Sequence, residues 1–335
     1  MTEQPPIQPT PVGALRFNTD SAKLEYFDGN QYVNITIDSP EQNTGGTRGF
    51  AAGAYPGPGD QIDFITISTT GNATDFGNRT ISAQQPGSAA SRTRGCIAGG
   101  ATPSNSDVID FVTMSSQGDA VDFGNLTVTG HGISMCINDS TRGVFVGRTG
   151  GSPSAFKNTI DYITIASTGD AVDFGDVSTA IRNPMGGSSP TRGVFALGGN
   201  PSTNTIEFLT ISTLGNTANF GDLLFTGRYG CGASNAIRCL ITKGNGSVNT
   251  VNFVTIATLG DASDFGDLTQ TSSTQLPCMA TSPTRAVRVG GQDPAFTNRM
   301  DYAQIMTTGN FLDFGDAVES KSGRANLSNG HGGLG

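Results

Sequence analysis

Residues 160–176 read IDYITIASTGDAVDFGD, and the order of residue types within that stretch decides the fold. A β-rich run comes first, with Tyr162, Thr164 and Ala166 alternating to one side of it. Gly169-Asp170 then supplies a turn, where glycine tolerates the positive φ that other residues resist, and AVDFGD continues as a further strand. Outward along the chain the same pattern restarts at Ile62, Ile109, Ile206, Val251 and Met300, so six copies align. The phenylalanine of each Asx-Phe-Gly triplet falls at Phe76, Phe123, Phe174, Phe220, Phe265 and Phe314. An arginine opens each copy, at Arg48, Arg94, Arg142, Arg192, Arg238 and Arg285, followed by a short apolar run such as GVFALGG from Gly193.

Successive copies lie 45–51 residues apart, the length of one four-stranded blade, which predicts an all-β fold with a six-bladed β-propeller over 45–335. The innermost strand is read from one position per copy, seven residues before an arginine, at Gly87, Met135, Met185, Cys231 and Cys278, flanked by small or polar residues, with the sulfur side chains packing between blades. The first copy lacks that strand, because Asn43-Thr44-Gly45-Gly46-Thr47 precedes Arg48. Residues about 320–332 are expected to supply it, Leu327 taking the apolar slot, so that a C-terminal strand closes blade 1 and leaves no interior edge open. This strand order, with diglycines at Gly99-Gly100, Gly198-Gly199 and Gly290-Gly291, resembles the kelch-type blade. The Tyr and Trp that mark kelch units are mostly missing, Phe standing on the outer strand instead. The likeness is one of architecture and implies no activity.

Composition narrows the function classes. The chain carries 47 glycines, no tryptophan, two histidines, 14% charged residues and a net charge of −9, which suits short strands and turns and argues against a nucleic-acid surface. Five cysteines, odd in number and widely spaced, signal neither a disulfide framework nor a zinc site; reduced, buried thiols are expected. The polar, proline-rich start and the lack of a long apolar stretch predict no membrane span and synthesis without conventional export.

Motif chemistry is sparse. The Asp-Phe-Gly triplets lack the glycine-rich loop, paired lysine and His-Arg-Asp of a kinase, and their sixfold recurrence makes them a packing device. Each phenylalanine is expected between neighbouring sheets, where burial contributes roughly 1.5–3 kcal/mol. Clusters such as Asp170/Asp173/Asp176 and Asp261/Asp264/Asp267 suit turn and strand-end hydrogen bonds, with calcium the alternative; Asn replaces Asp at Asn72, Asn78, Asn216 and Asn219. The six arginines are expected to clamp the repeated aspartates of the same or the next blade, so that replacing Arg192 or Asp173 destabilises folding, with an anion-binding ring as the alternative. His131 and His331 lie in glycine-rich segments expected to be exposed, without a repeated acidic partner. No catalytic, cofactor-binding or metal-binding residue stands out, and the expectation is a protein that is not an enzyme and takes no cofactor.

The N-terminal part has a different character. Residues 1–12 are expected to form an extended arm, and 13–38 a β-hairpin module with strands at Leu15/Phe17, Leu24/Tyr26 and Tyr32/Ile35. Such a piece cannot bury enough surface alone. Its pattern, carried by Arg16, Phe17, Asn18, Glu25, Tyr26, Asp28, Gly29 and Tyr32, resembles a small module of phage tail-fibre and other virion appendage proteins; the usual Trp is Tyr32 here. The Asp-rich, Phe-Gly repeat also resembles repeats in structural proteins of marine phages, particularly those of cyanobacteria. The resemblance implies a virion structural protein (tail fibre, baseplate or other appendage), made in the host cytoplasm and released by lysis. It further implies attachment to other virion proteins through the N-terminal segment, homo-oligomers with trimers favoured, and a propeller displayed toward host surface glycan or protein. The alternatives are a non-viral glycan-binding module and a propeller hydrolase or lyase. Residues that recur sixfold read as scaffold, which leaves the loops 53–60, 101–107, 150–158 and 291–298 and the arm as places for binding.

Overall fold

The computed structural model describes residues 10–18, 23–34, 47–57, 59–133, 136–151, 155–198, 202–244, 246, 248–272, 277–292 and 294–334. Residues 1–9 of the expected arm, 35–38 of the hairpin module, Met135 and parts of three of the divergent loops lie outside them. The chain divides into two compact units, Met1–Thr44 and Gly45–Gly335.

The larger unit is all-β and holds six antiparallel sheets, five of four strands and a third sheet of five. The fourth sheet sets the pattern: Met185–Ser188, Arg192–Ala196, Thr203–Thr210 and Ala218–Gly227 lie side by side in chain order. In the third sheet the first position is shared by two short strands, Gly130–His131 and Ile137–Asn138, both paired with Arg142–Gly150. The first sheet takes its first strand from the far end of the chain. Ala325–Ser328 pairs antiparallel with Arg48–Ala52, followed by Gly59–Thr66 and Thr74–Ala83.

The expected closing strand therefore forms, with one correction. Ala325 opposes Ala52 just as Met185 opposes Ala196 and Cys278 opposes Val289, so Ala325 holds the register slot expected of Leu327. Leu327 sits two residues on, opposite Phe50, on the same face by the period of two. There it fills space that Gly187, Ala233 and Ala280 leave smaller in other sheets. Matching Arg324 to Arg182 in the sequence imposes the two-residue offset.

The Asx-Phe-Gly triplet is a β-bulge. Asp173 opposes Asp161 and Gly175 opposes Ile160, leaving Phe174 as the extra residue, and the same register shift recurs in all six sheets. The bulge turns each phenylalanine into an apolar cluster shared with the next sheet. Phe76 packs with Ile97 and Val112, Phe174 with Phe195 and Leu209, and so on, until Phe314 of the sixth sheet packs with Ile65 and Ile67 of the first. Met185, Cys231 and Cys278 lie in these clusters, as their register implied.

The glycine after each phenylalanine is fixed by close approach. At Gly221, φ is +156°, and a Cβ would stand 2.3 Å from the carbonyl oxygen of Gly260 in the turn of the next sheet. That turn docks by backbone hydrogen bonds, Gly260 N–H to Phe220 O at 2.9 Å and Ala262 N–H to Asp222 O at 2.8 Å. The same pair of bonds joins every sheet to the one before it, including Gly71 to Phe314 and Ala73 to Asp316.

The smaller unit is a three-stranded antiparallel meander of Leu15–Asn18, Lys23–Phe27 and Tyr32–Asn34. Asp28 makes its second turn by accepting from Asn30 N–H and Gln31 N–H at 2.7 and 2.8 Å, which lowers its pKa. Gly29 takes a φ of +108°.

Candidate functional site

Antiparallel pairing gives each sheet of the larger unit two distinct ends. At the turn end lie the opening arginines and the Gly-Asx turns. At the bend end the last strand of one sheet passes to the first strand of the next, beside the loops where the copies diverge.

The turn end is occupied by repeated contacts. Each of the six arginines donates from Nη1 to a backbone carbonyl of the following sheet at 2.8–3.0 Å, as Arg142 to Ile211 O and Arg285 to Ile67 O. Each guanidinium also lies over an aromatic ring of its own sheet, 4.3–5.5 Å from the centroid of Phe64, Phe111, Tyr162, Phe208, Phe253 or Tyr302. The arginines are therefore clamps between sheets, but not through the expected aspartates; carbonyls and rings take the acid's place. The Asx of each turn has a matching duty. Its Oδ1 accepts the backbone N–H two residues after the preceding sheet's bulged phenylalanine, as Asp261 for Asp222 and Asn216 for Asp176, both at 3.0 Å. A carboxylate and an amide oxygen serve equally there, which accounts for the exchange of Asp and Asn among copies. Among the described residues no group of three or more His, Cys, Asp or Glu is disposed to hold a metal ion.

Buried charge lies where the repeat did not point. The residue after each leading apolar position (Asp63, Asp110, Asp161, Glu207, Asn252, Asp301) is buried. Four of these carboxylates pair with buried arginines that come from unrelated positions. Arg79 meets Asp110 at 2.9 Å, Arg148 meets Asp161 at 2.8 Å, Arg288 meets Asp301 at 3.0 Å and Arg324 meets Asp63 at 2.5 Å. Hydroxyls of the preceding sheet complete the shell, Thr127 on Asp161 at 2.6 Å and Thr269 on Asp301 at 2.5 Å. Glu207 is served by Ser178 and Thr217. These are structural pairs with no access to solvent.

The histidines and cysteines divide in the same way. His331, expected exposed, is 3% exposed; its Nε2 sits 2.8 Å from both Ala90 O and the Asn138 amide, and burial pushes its pKa down to about 4. The following turn Gly332–Leu334 packs against the first strands, with Leu334 O accepting from Arg92 at 2.8 Å. The five cysteines are free and buried, and burial raises their thiols to about 11 or 12.

The bend end differs from sheet to sheet. Gln85, Asn183 and Tyr229 stand at matching bends with φ of 55°, 56° and 62°, left-handed values that favour glycine, and Gly323 occupies the same place before Ala325. Between these bends lies a recess of about 10 Å³, room for one water, lined by Gln85, Gly132, Asn183 and Gly230 among others. Around its third-to-fifth-sheet side, cations and rings gather. Arg182 donates to Tyr229 Oη at 2.9 Å and lies 5.3 Å from the Phe156 centroid and 5.7 Å from that of Tyr229. Arg228 covers Tyr229 at 4.9 Å, and Lys243 covers Phe225 at 5.7 Å. His131 accompanies them, its Nδ1 2.7 Å from Asn105 Oδ1 and its pKa lowered by burial and by Arg182. Of the loops singled out in the sequence, 150–158 contributes Phe156 and 101–107 contributes Asn105. Elsewhere, Tyr55 and Phe296 from loops 53–60 and 291–298 stack at 5.6 Å. The bends that carry Arg182, Arg228 and Tyr229 were missed, because the alignment treats them as the start of an inner strand.

In the smaller unit three of the module residues, Arg16, Glu25 and Tyr32, meet on one face. Arg16 pairs with Glu25 at 2.7 Å and lies 3.6 Å from the Tyr32 centroid, while Tyr32 packs on Phe27. Leu15, Phe17, Leu24, Tyr26 and Val33 share the other face by cross-strand register. Leu15 is 64% exposed and Phe17 62%. Comparison of the chain with protein-family models and with curated proteins finds no match.

Proposed function

We propose that residues 45–335 form a closed six-bladed β-propeller that binds rather than catalyses, and that the chain is a structural protein of a phage virion appendage. Two observations support the closed ring. Apolar clusters and turn bonds link each sheet to the next, and the sixth is linked to the first in the same way. The first sheet also borrows its first strand from Ala325–Ser328. A binding role is supported by the cations and rings gathered at the bends.

The observation that carries attachment is the N-terminal sheet. It keeps Arg16, Glu25, Phe27 and Tyr32 packed on one side and leaves Leu15, Phe17 and Tyr26 open on the other. A meander of three short strands does not bury enough apolar area to stand alone, so a partner surface is required. On this reading the segment docks onto virion proteins or onto copies of itself, trimers included, and the propeller is displayed outward. Mass spectrometry of purified particles tests it: the chain is expected in stoichiometric amounts, and its absence from particles contradicts the virion reading. The cation–aromatic bends serve equally well in a glycan-binding propeller outside a virion, and that is the reading left if the particles lack the chain.

A further inference from the structure

We infer that the bend end of sheets three to five is a binding site for a carboxylated sugar. The inference deepens the binding reading above and does not depend on a virion. Three cations, Arg182, Arg228 and Lys243, stand there in a chain whose net charge is −9, and among the described residues none has an ion-pair partner. The contrast with Arg79, Arg148, Arg288 and Arg324, each matched to a buried carboxylate, is what marks them.

Their geometry is set in advance. Tyr229 Oη holds the Arg182 Nη2 at 2.9 Å and Phe156 flanks the same guanidinium, so its remaining donors are aimed with little rotamer freedom to lose on binding. Arg228 lies over the Tyr229 ring, and its Nε, shielded from water, has no hydrogen-bond partner. Tyr229 itself keeps a left-handed φ of 62° that a non-glycine residue resists, a local cost of the kind retained at functional sites. Planar guanidinium groups match a carboxylate through paired N–H donors, and flanking rings offer apolar faces to the C–H surface of a pyranose. A free inorganic anion would use the cations but not the rings. A neutral sugar would use the rings but not the cations. A sugar acid uses both.

Titration calorimetry with a panel of uronate and sialate oligosaccharides, their methyl esters and inorganic phosphate tests the site on the full chain. Saturable binding of an acidic sugar is expected, weakened at least tenfold by esterification and falling with added salt, with phosphate much weaker. The Arg182→Gln/Arg228→Gln variant is expected to lose at least tenfold in affinity with an unchanged melting temperature. If that variant is destabilised, Lys243→Gln supplies the second reading, with a smaller loss expected. Undiminished affinity in both variants, equal affinity for acid and ester, phosphate binding as tight as the sugar, or no acidic sugar bound would overturn the site. Particle composition fails or holds independently of each of these outcomes.

Discussion

The two ends of the sheets are built from the same chain with opposite statistics. At the turn end, arginine, Gly-Asx and Asx-Phe-Gly recur in every copy, and each polar group is spent on the neighbouring sheet: guanidinium to carbonyl, Oδ1 to backbone N–H, turn amide to bulge carbonyl. At the bend end, Gln85, Asn183, Tyr229 and Gly323 occupy one structural position with unrelated side chains, and Arg182 and Arg228 beside them meet rings and a phenol in place of carboxylates. Recurrence thus marks groups consumed in assembly, whereas at the non-recurring positions buried arginines such as Arg79 are consumed by carboxylates and Arg182 and Arg228 are not.

The largest expected effect breaks the comparison altogether. Removing residues 320–335 takes away the first strand of sheet one together with Arg324, the partner of Asp63, and exposes the edge of Arg48–Ala52. Loss of cooperative unfolding by circular dichroism is expected; a truncated chain that melts like the intact one refutes closure. Next comes Arg79→Met, which leaves Asp110 buried without its cation and is expected to cost about 3–5 kcal/mol by chemical denaturation.

His331 gives a pH signature. Its folded pKa near 4 lies below the ordinary 6.5, so the unfolded chain takes up the proton first as pH falls. Stability from this group is complete above about pH 6.5 and is lost down to about pH 4, up to roughly 3 kcal/mol in all. The nearby positive charge of Arg92 adds to the lowering at His331, and the half-buried His131 also titrates below its usual range, so the difference between the wild type and His331→Gln isolates the contribution. A difference in stability that stays constant with pH contradicts it. The smallest effect sharpens the turn end: Asp261→Asn is expected to be neutral and Asp261→Ala to cost about 1 kcal/mol, since only the accepting oxygen is used.

Much of the scaffold was legible in the sequence because periodicity is a property of identical units. The six copies, the buried phenylalanines, the closing strand and the three N-terminal strands all follow from pattern. Partner identity is less legible. The arginine opening each copy recurs with aspartate because both serve inter-sheet contacts, not because they touch. Conversely, Asp63, Asp110, Asp161 and Asp301 recur, but Arg324, Arg79, Arg148 and Arg288 reach them from four different positions in their sheets, Arg324 from just before a strand, so no alignment column holds both partners. One local signal was present: an acid directly after the first apolar residue of a strand, where consecutive side chains point to opposite faces and both faces are covered by neighbouring sheets. His331 was misjudged because flanking glycines read as an exposed tail, whereas here they allow the close approach of Gly332 to Asn235 O and Ser188 O.

The division between the two ends reduces to one paired experiment on Arg192 and Arg182, measured for both unfolding free energy and acidic-sugar affinity. Arg192→Gln removes two carbonyl contacts and the stacking on Phe208 at the turn end, and is expected to cost about 1–2 kcal/mol with unchanged affinity. Arg182→Gln is expected to alter stability by less than about 0.5 kcal/mol and to weaken binding several-fold. The reverse pattern, with Arg192 controlling affinity and Arg182 controlling stability, would contradict the assignment of scaffold to one end and binding to the other.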